Sequence, residues 1–368
     1  MYHFRFPNVF PFFTGDDCPC LFEKFKKTGI FIFPILLFFS CQTNPSIPAS
    51  TPFTITQPPL FPKMDIPVDN PLTVEGIALG KQLFFDPILS ADHTMSCGSC
   101  HFPDRGFTDN LPVSKGIHGK VGKRSAMSLL NIGYMNTGLF WDGRTDRLET
   151  QALLPVADSS ELAHQWQTVE WDLRKHQNYP DAFRHAFGIQ DTGQLTRTLV
   201  VRAIAQYERS LVSSGNSRYD RFRKGELELT ADEMMGYDLF FDISPEVKDA
   251  ECGNCHNAPL FTTNEYNNNG VQAAKTLEDF KDSGRGMVTG NRYDNGKFRI
   301  PTLRNIELTA PYMHDGRFAT LEEVVDHYNK GGQISPNINS LIRPLGLTQK
   351  EKEQLIVFLK TLTEEEVY

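Results

Sequence analysis

The sequence predicts a mainly α-helical protein made of two related units with long loops. Three observations predict it: capping boxes ahead of apolar stripes of helical period, a pattern that occurs twice, and no sustained alternation of the kind a sheet requires. Thr230-Ala-Asp-Glu233 opens a helix carrying Leu239 and Phe240. Thr348-Gln-Lys-Glu351 opens another, whose Leu355, Ile356, Leu359 and Leu362 share one face. Leu195 to Leu211 has the same spacing through Leu199, Ala203, Ile204 and Tyr207. The Asn-rich stretch 262–297 reads as the longest loop, and 155–180 as an irregular bridge between the units.

The recurrence is specific. Gly80-Lys-Gln-Leu83-Phe84-Phe85-Asp86 returns as Gly236-Tyr-Asp-Leu239-Phe240-Phe241-Asp242. Downstream, Arg124 to Glu149 parallels Arg299 to Glu322. Two copies are too few for a repeat array, so this is a duplication.

A chain of 368 residues, 40% hydrophobic and 22% charged, is long enough for two cores. Its formal net charge of −8 argues against nucleic acid as a partner and suits a basic electron donor. Lys24, Lys26 and Lys27 precede an apolar run from Gly29 to Phe39, followed by Ser40-Cys41. That order reads as an export signal over residues 1–41, and Phe38-Phe39-Ser40-Cys41 resembles a bacterial lipobox with Cys41 as the lipidated residue. The run is shorter than the ~20 residues that span a bilayer. Residues 42–63, rich in Pro, Thr and Ser, read as an extended tether from membrane to domain. The reading divides the remainder into units 64–225 and 226–368.

Seven cysteines are present. Four form Cys97-Gly-Ser-Cys100-His101 and Cys252-Gly-Asn-Cys255-His256, one in each copy. In C-x-x-C-H the two thiols add to the haem vinyl groups, and one helical turn brings the next His to the iron. A zinc or thiol-redox site is the competing reading of C-x-x-C, but a His after both pairs favours haem. The fold class is therefore mainly α, with two cytochrome c-like haem domains related by duplication and joined by long loops. Two covalently bound haem c groups follow, with His101 and His256 as proximal ligands.

From about Thr73 to Thr363 the chain resembles the bacterial di-haem cytochrome c peroxidase family, which includes the MauG oxidases. The strings that carry the resemblance are LFFDPILS at 83–90 before SCGSCH, PVSKG at 112–116, LLN at 129–131, FWDGR at 140–144, PTLRNIELTAPYMHDGR at 301–317 and HYNKGG at 327–332. The resemblance implies a peroxidatic haem on His101 and an electron-entry haem on His256. It implies that Glu161 moves a proton between the two oxygens of H2O2, help typically worth ~10² to 10⁴ in rate. Trp141 matches the residue between the haems, although a large aromatic there also serves as a core anchor.

The sequence departs from the family pattern at two places. Many family peroxidases carry a His ligand after PVSKG; here Ile117 stands at that position and His118 one residue later, which favours an open peroxidatic haem. Where such peroxidases place a distal Met for the second haem, Tyr328 stands, as in MauG-like members; Met313 lies in the PYMHDG turn. A phenolate ligand favours Fe(III) and lowers the potential, whereas a thioether raises it. The family's calcium site would use backbone oxygens of Thr309 and Pro311 and an Asn that is Ser125 here.

The leading expectation is a periplasmic peroxidase that reduces H2O2 with electrons from a small cytochrome c or cupredoxin, attached to a membrane only through its lipid anchor, with a homodimer as an admissible assembly. A MauG-like oxidase of a protein or small organic substrate is the alternative. A non-catalytic di-haem electron carrier is the third reading.

Overall fold

The structure, a computed structural model, describes residues 49–364. The expected signal segment, Cys41 and the first part of the tether lie outside the described residues. From Thr51 onward the tether expectation is corrected, because the segment is fastened to the domain. The Phe53 N–H donates to Leu72 O (2.9 Å), the Thr51 N–H donates to Glu75 Oε2 (2.8 Å), and Phe61 is buried under the Arg304 guanidinium, 4.4 Å from its ring centroid.

Helices dominate. In chain order they are α1 Val74–Phe85, α2 Leu148–Gln151, α3 Leu153–Ala157, α4 Trp166–Lys175, α5 Tyr179–Phe187, α6 Arg197–Ser210, α7 Arg218–Arg223, α8 Ala231–Phe241, α9 Gly286–Thr289, α10 Leu321–Asn329 and α11 Gln349–Lys360. The only ladder among the described residues pairs β1 (Tyr266–Asn267) with β2 (Phe298–Arg299), antiparallel, inside the stretch read as the longest loop.

Both capping boxes form as the sequence predicts: the Thr230 and Thr348 hydroxyls accept from the Glu233 and Glu351 N–H groups, and the glutamates reach back. The irregular bridge expected over 155–180 is corrected. Trp166, Val169 and Leu173 form a buried stripe on α4, and Pro180 sits in the first turn of α5, where a missing N–H costs nothing.

The described residues belong to one compact unit, Ile47–Tyr368, which holds two main apolar cores. The first gathers Leu83, Phe84, Val169, Phe183 and Ile204; the second gathers Leu239, Phe240, Phe261, Phe358 and Leu362. In the first core α1 packs on α6, and in the second α8 packs on α11, so the duplicated Gly-x-x-Leu-Phe-Phe-Asp helices do the same task twice. The boundary expected after residue 225 shifts toward the N-terminus. Tyr219 of α7 is buried in the second core, its N–H donates to Thr361 O (3.0 Å), and the first core ends at Leu211. A buried pair clamps α7 to the second core: Arg304 donates to both Asp220 oxygens (2.9 and 2.8 Å).

Candidate functional site

Each Cys-x-x-Cys-His motif starts on one 3-10 turn, Cys97–Ser99 and Cys252–Asn254. The turn continues as the His101 N–H donates to Cys97 O (3.1 Å) and the His256 N–H to Cys252 O (2.9 Å). One coil therefore carries two free thiols and an imidazole. His101 Nδ1 lies 2.8 Å from Phe107 O, and His256 Nδ1 lies 3.1 Å from Phe261 O. A carbonyl oxygen only accepts, so Nδ1 carries the proton and Nε2 keeps its lone pair. Burial lowers both imidazoles, His256 to about 4, and so keeps them in the neutral form that binds metal.

Each motif borders a cavity. The first, about 800 Å³, has Cys97, Cys100 and His101 in its wall together with Glu161, Arg144 and Gln151. The second, about 240 Å³, is bounded by Cys252, Cys255 and His256, and by Tyr328, Met313 and Asn269. Paired thiols beside an imidazole with a free Nε2, facing a mainly apolar space, fit a covalently held haem in each.

In the first cavity Glu161 is half-buried. Desolvation raises its pKa above the ordinary carboxyl value, Asp158 raises it further, and Arg144 pulls it down. His118 points elsewhere: its side chain is 68% exposed and its Nδ1 lies 3.5 Å from Asp92 Oδ2. Neither His118 nor the buried Ile117 borders the cavity, whereas Gly116 does.

In the second cavity, Asn269 Nδ2 donates to Tyr328 Oη (3.0 Å) and lies 3.3 Å from Met313 Sδ. One amide thus gathers Tyr328, expected as the distal ligand, and Met313 of the PYMHDG turn. Burial pushes the Tyr328 phenol up to about 12, with Asn269 opposing and the two cysteines adding to the rise.

Trp141 borders both cavities. Its Nε1 donates to Ser125 O (3.0 Å), its carbonyl accepts from the Arg299 N–H (2.8 Å), and its ring meets the edge of His314, centroids 6.5 Å apart. Thr309 and Pro311 lie on the second cavity. The neighbouring carbonyls of Leu308 and Ala310 already accept from Asn110 Nδ2, and the Ser125 hydroxyl donates to Met313 O (2.9 Å). The Ser125 hydroxyl, at the position of the family's Asn, is thus engaged with a backbone carbonyl of the PYMHDG turn.

Sequence reasoning missed Glu208, Arg144, Gln151 and Asn269. Glu208 and Asn269 carry no sequence signal, one on a helix among charges and the other in a run of asparagines; Arg144 and Gln151 follow the FWDG string and were within reach.

The fold and its paired cavities define a di-haem c-type protein, and comparison with known proteins agrees. The family model described as di-haem cytochrome c peroxidase matches residues 74–228. The methylamine utilization protein MauG of Methylorubrum extorquens is 36% identical over 305 residues, 81% of each chain. The cytochrome c551 peroxidase of Nitrosomonas europaea is 37% identical over 303 residues, 82% of this chain and 84% of that one. Among solved structures, a MauG-like protein associated with microbial copper homeostasis superposes with a TM-score of 0.78 at 34% identity, covering 85% of this chain and 96% of the other. This chain belongs to the di-haem cytochrome c peroxidase and MauG family, whose members are oxidoreductases carrying two haem c groups.

Proposed function

We propose that this protein is a periplasmic peroxidase that reduces H2O2 to water with electrons from a small cytochrome c or cupredoxin. The observation that carries this reading is Glu161 in the wall of the first cavity, its pKa raised by burial, in a space to which His118 contributes nothing. Bound haem supplies the redox chemistry. The side chains supply the rest of the balance, in which H2O2, two electrons and two protons give two waters. Glu161 accepts a proton from one peroxide oxygen and returns it to the other, so that the departing fragment leaves as water. Arg144, whose charge is felt at Glu161, opposes the rise that burial and Asp158 impose on that carboxyl. Trp141, bordering both cavities, passes electrons from the second unit to the first. The charged and apolar segments ahead of Ser40-Cys41 support export and a lipid anchor at Cys41.

Tyr328 favours a second reading, a MauG-like oxidase that uses peroxide to draw electrons from a protein or small organic substrate. Were Tyr328 to hold the second haem as its phenolate, it would favour the oxidised iron and make that haem a poor acceptor from a high-potential donor.

One experiment separates the two. The holoprotein is titrated with H2O2, with and without reduced donor cytochrome, while haem and donor spectra are recorded. Rapid donor oxidation is expected, slowed ~10²- to 10⁴-fold in Glu161→Gln with both haems retained. A lasting oxidised state without donor turnover selects the oxidase, and undiminished turnover in Glu161→Gln removes Glu161 from the reaction.

A further inference from the structure

Outside both haem cavities, two loops of the first unit meet beside α4. One carries His93, four residues before Cys97; the other carries His164, three residues after Glu161. The Ala91 N–H donates to Leu162 O (3.0 Å) and ties the loops together. Asp172 of α4 reaches toward both. Its Oδ2 lies 3.9 Å from His93 Nε2 and 3.8 Å from His164 Nε2, and the three ligand atoms all fall within 4.8 Å of one another.

These distances exceed an N–H···O hydrogen bond. His164 is only 8% exposed, and its Nε2 is buried without a hydrogen-bond partner. A buried imidazole nitrogen left unpaired is costly and calls for an explanation such as an ion.

We propose that His93, His164 and Asp172 form a binding site for a divalent transition metal of the Zn(II) class. Two imidazole nitrogens and a carboxylate oxygen are the donors such ions take, at bond lengths of about 2.0–2.2 Å. Tetrahedral ligands at that radius lie roughly 3.4 Å apart, so the two sides at Asp172 close by about 0.5 Å, and the side between the imidazoles, within 4.8 Å, closes as the exposed His93 ring turns inward. The His93 side chain is 53% exposed, which gives the ion a path from solvent and leaves the fourth position to water. One local contact must be exchanged. The Gln165 N–H now donates to His164 Nδ1 (3.0 Å), and binding at Nε2 moves the ring proton to Nδ1 and gives that contact up. The bound ion would fasten both loops to α4, and through them the segments that continue to Cys97 and Glu161.

The test is isothermal titration calorimetry of chelator-treated holoprotein with ZnCl2, a probe silent in redox chemistry. One saturable site is expected. His93→Asn and Asp172→Asn should each weaken it by at least about tenfold, His164→Ala should abolish it, and His185→Asn, on α5 beside Asp181 and outside the cluster, should leave it unchanged. His93 has φ +57°, which Asn tolerates, so His93→Asn carries the test should the buried His164→Ala fail to fold. Absence of a site, or affinity reduced less than tenfold in either His93→Asn or Asp172→Asn, overturns the proposal.

Discussion

Glu208 is the residue whose environment and sequence context disagree most. It lies on α6 beside Arg209 in a run of polar residues, which reads as a solvated face; in the structure it is 4% exposed, borders the first cavity, and has its Oε2 buried without a partner. Desolvation raises its pKa to about 8, with Arg209 opposing and Glu149 adding. An acid with a raised folded pKa keeps a proton that the unfolded chain releases, so between about pH 4.5 and 8 stability falls as pH rises. Glu208→Gln removes that slope. The variant should match the parent near pH 4.5 and exceed it by on the order of 3 kcal/mol at pH 7, read from denaturant unfolding of the holoprotein at both pH values. An unchanged slope would show that Glu208 ionises in the folded protein. At this scale the sequence exposes what is local in the chain. Cys97, Cys100 and His101 sit within one coil and are readable directly; Glu161 and Tyr328 line cavities whose other walls lie far away in sequence and were legible only through resemblance; Glu208 depends on burial that no local pattern encodes.

At the scale of elements, the duplication has a physical consequence at two glycines. A Cβ on Gly80 of α1 would come within 1.9 Å of Ala203 O and 2.9 Å of Tyr207 Cβ on α6. A Cβ on Gly236 of α8 would come within 2.1 Å of Gln354 O and 2.7 Å of Phe358 Cβ on α11. Both units therefore use the same backbone-to-backbone crossing, and each crossing brings the following Leu-Phe pair into a core. Gly80→Ala and Gly236→Ala should each destabilise the holoprotein by about 1–3 kcal/mol through overpacking, measured as a fall in denaturant midpoint. Unchanged midpoints in both variants would show that the helices slide apart at no cost. The repeat was legible because Gly, Leu, Phe and Asp recur at fixed offsets. Helices α4 and α5 were not, because Pro155 and Pro180 read as breakers when Pro180 in fact starts α5, and because the α4 stripe is only three residues.

Across the whole molecule, the two units are joined by polar contacts that converge around Trp141. Arg124 reaches Asp142 of the first unit (2.6 Å) and Asp282 of the second (2.7 Å), the Arg299 N–H donates to Trp141 O, and His314, at the edge of Trp141, stacks on Phe298 at 3.7 Å. This clamp fixes the indole on the border of both cavities. Trp141→Phe keeps a ring in the clamp but loses the indole and its N–H to Ser125 O. If Trp141 is a relay, electrons delivered by a reduced donor to the second haem should reach the first roughly tenfold or more slowly in the variant, a barrier increase of about 1.4 kcal/mol. Stopped-flow spectra separate the two haems, and unchanged spectra at rest establish that both sites survive. If Trp141 is only an anchor, the variant loses stability and the transfer rate stays where it was, because removing packing lowers the unfolding midpoint without touching the path between the cavities.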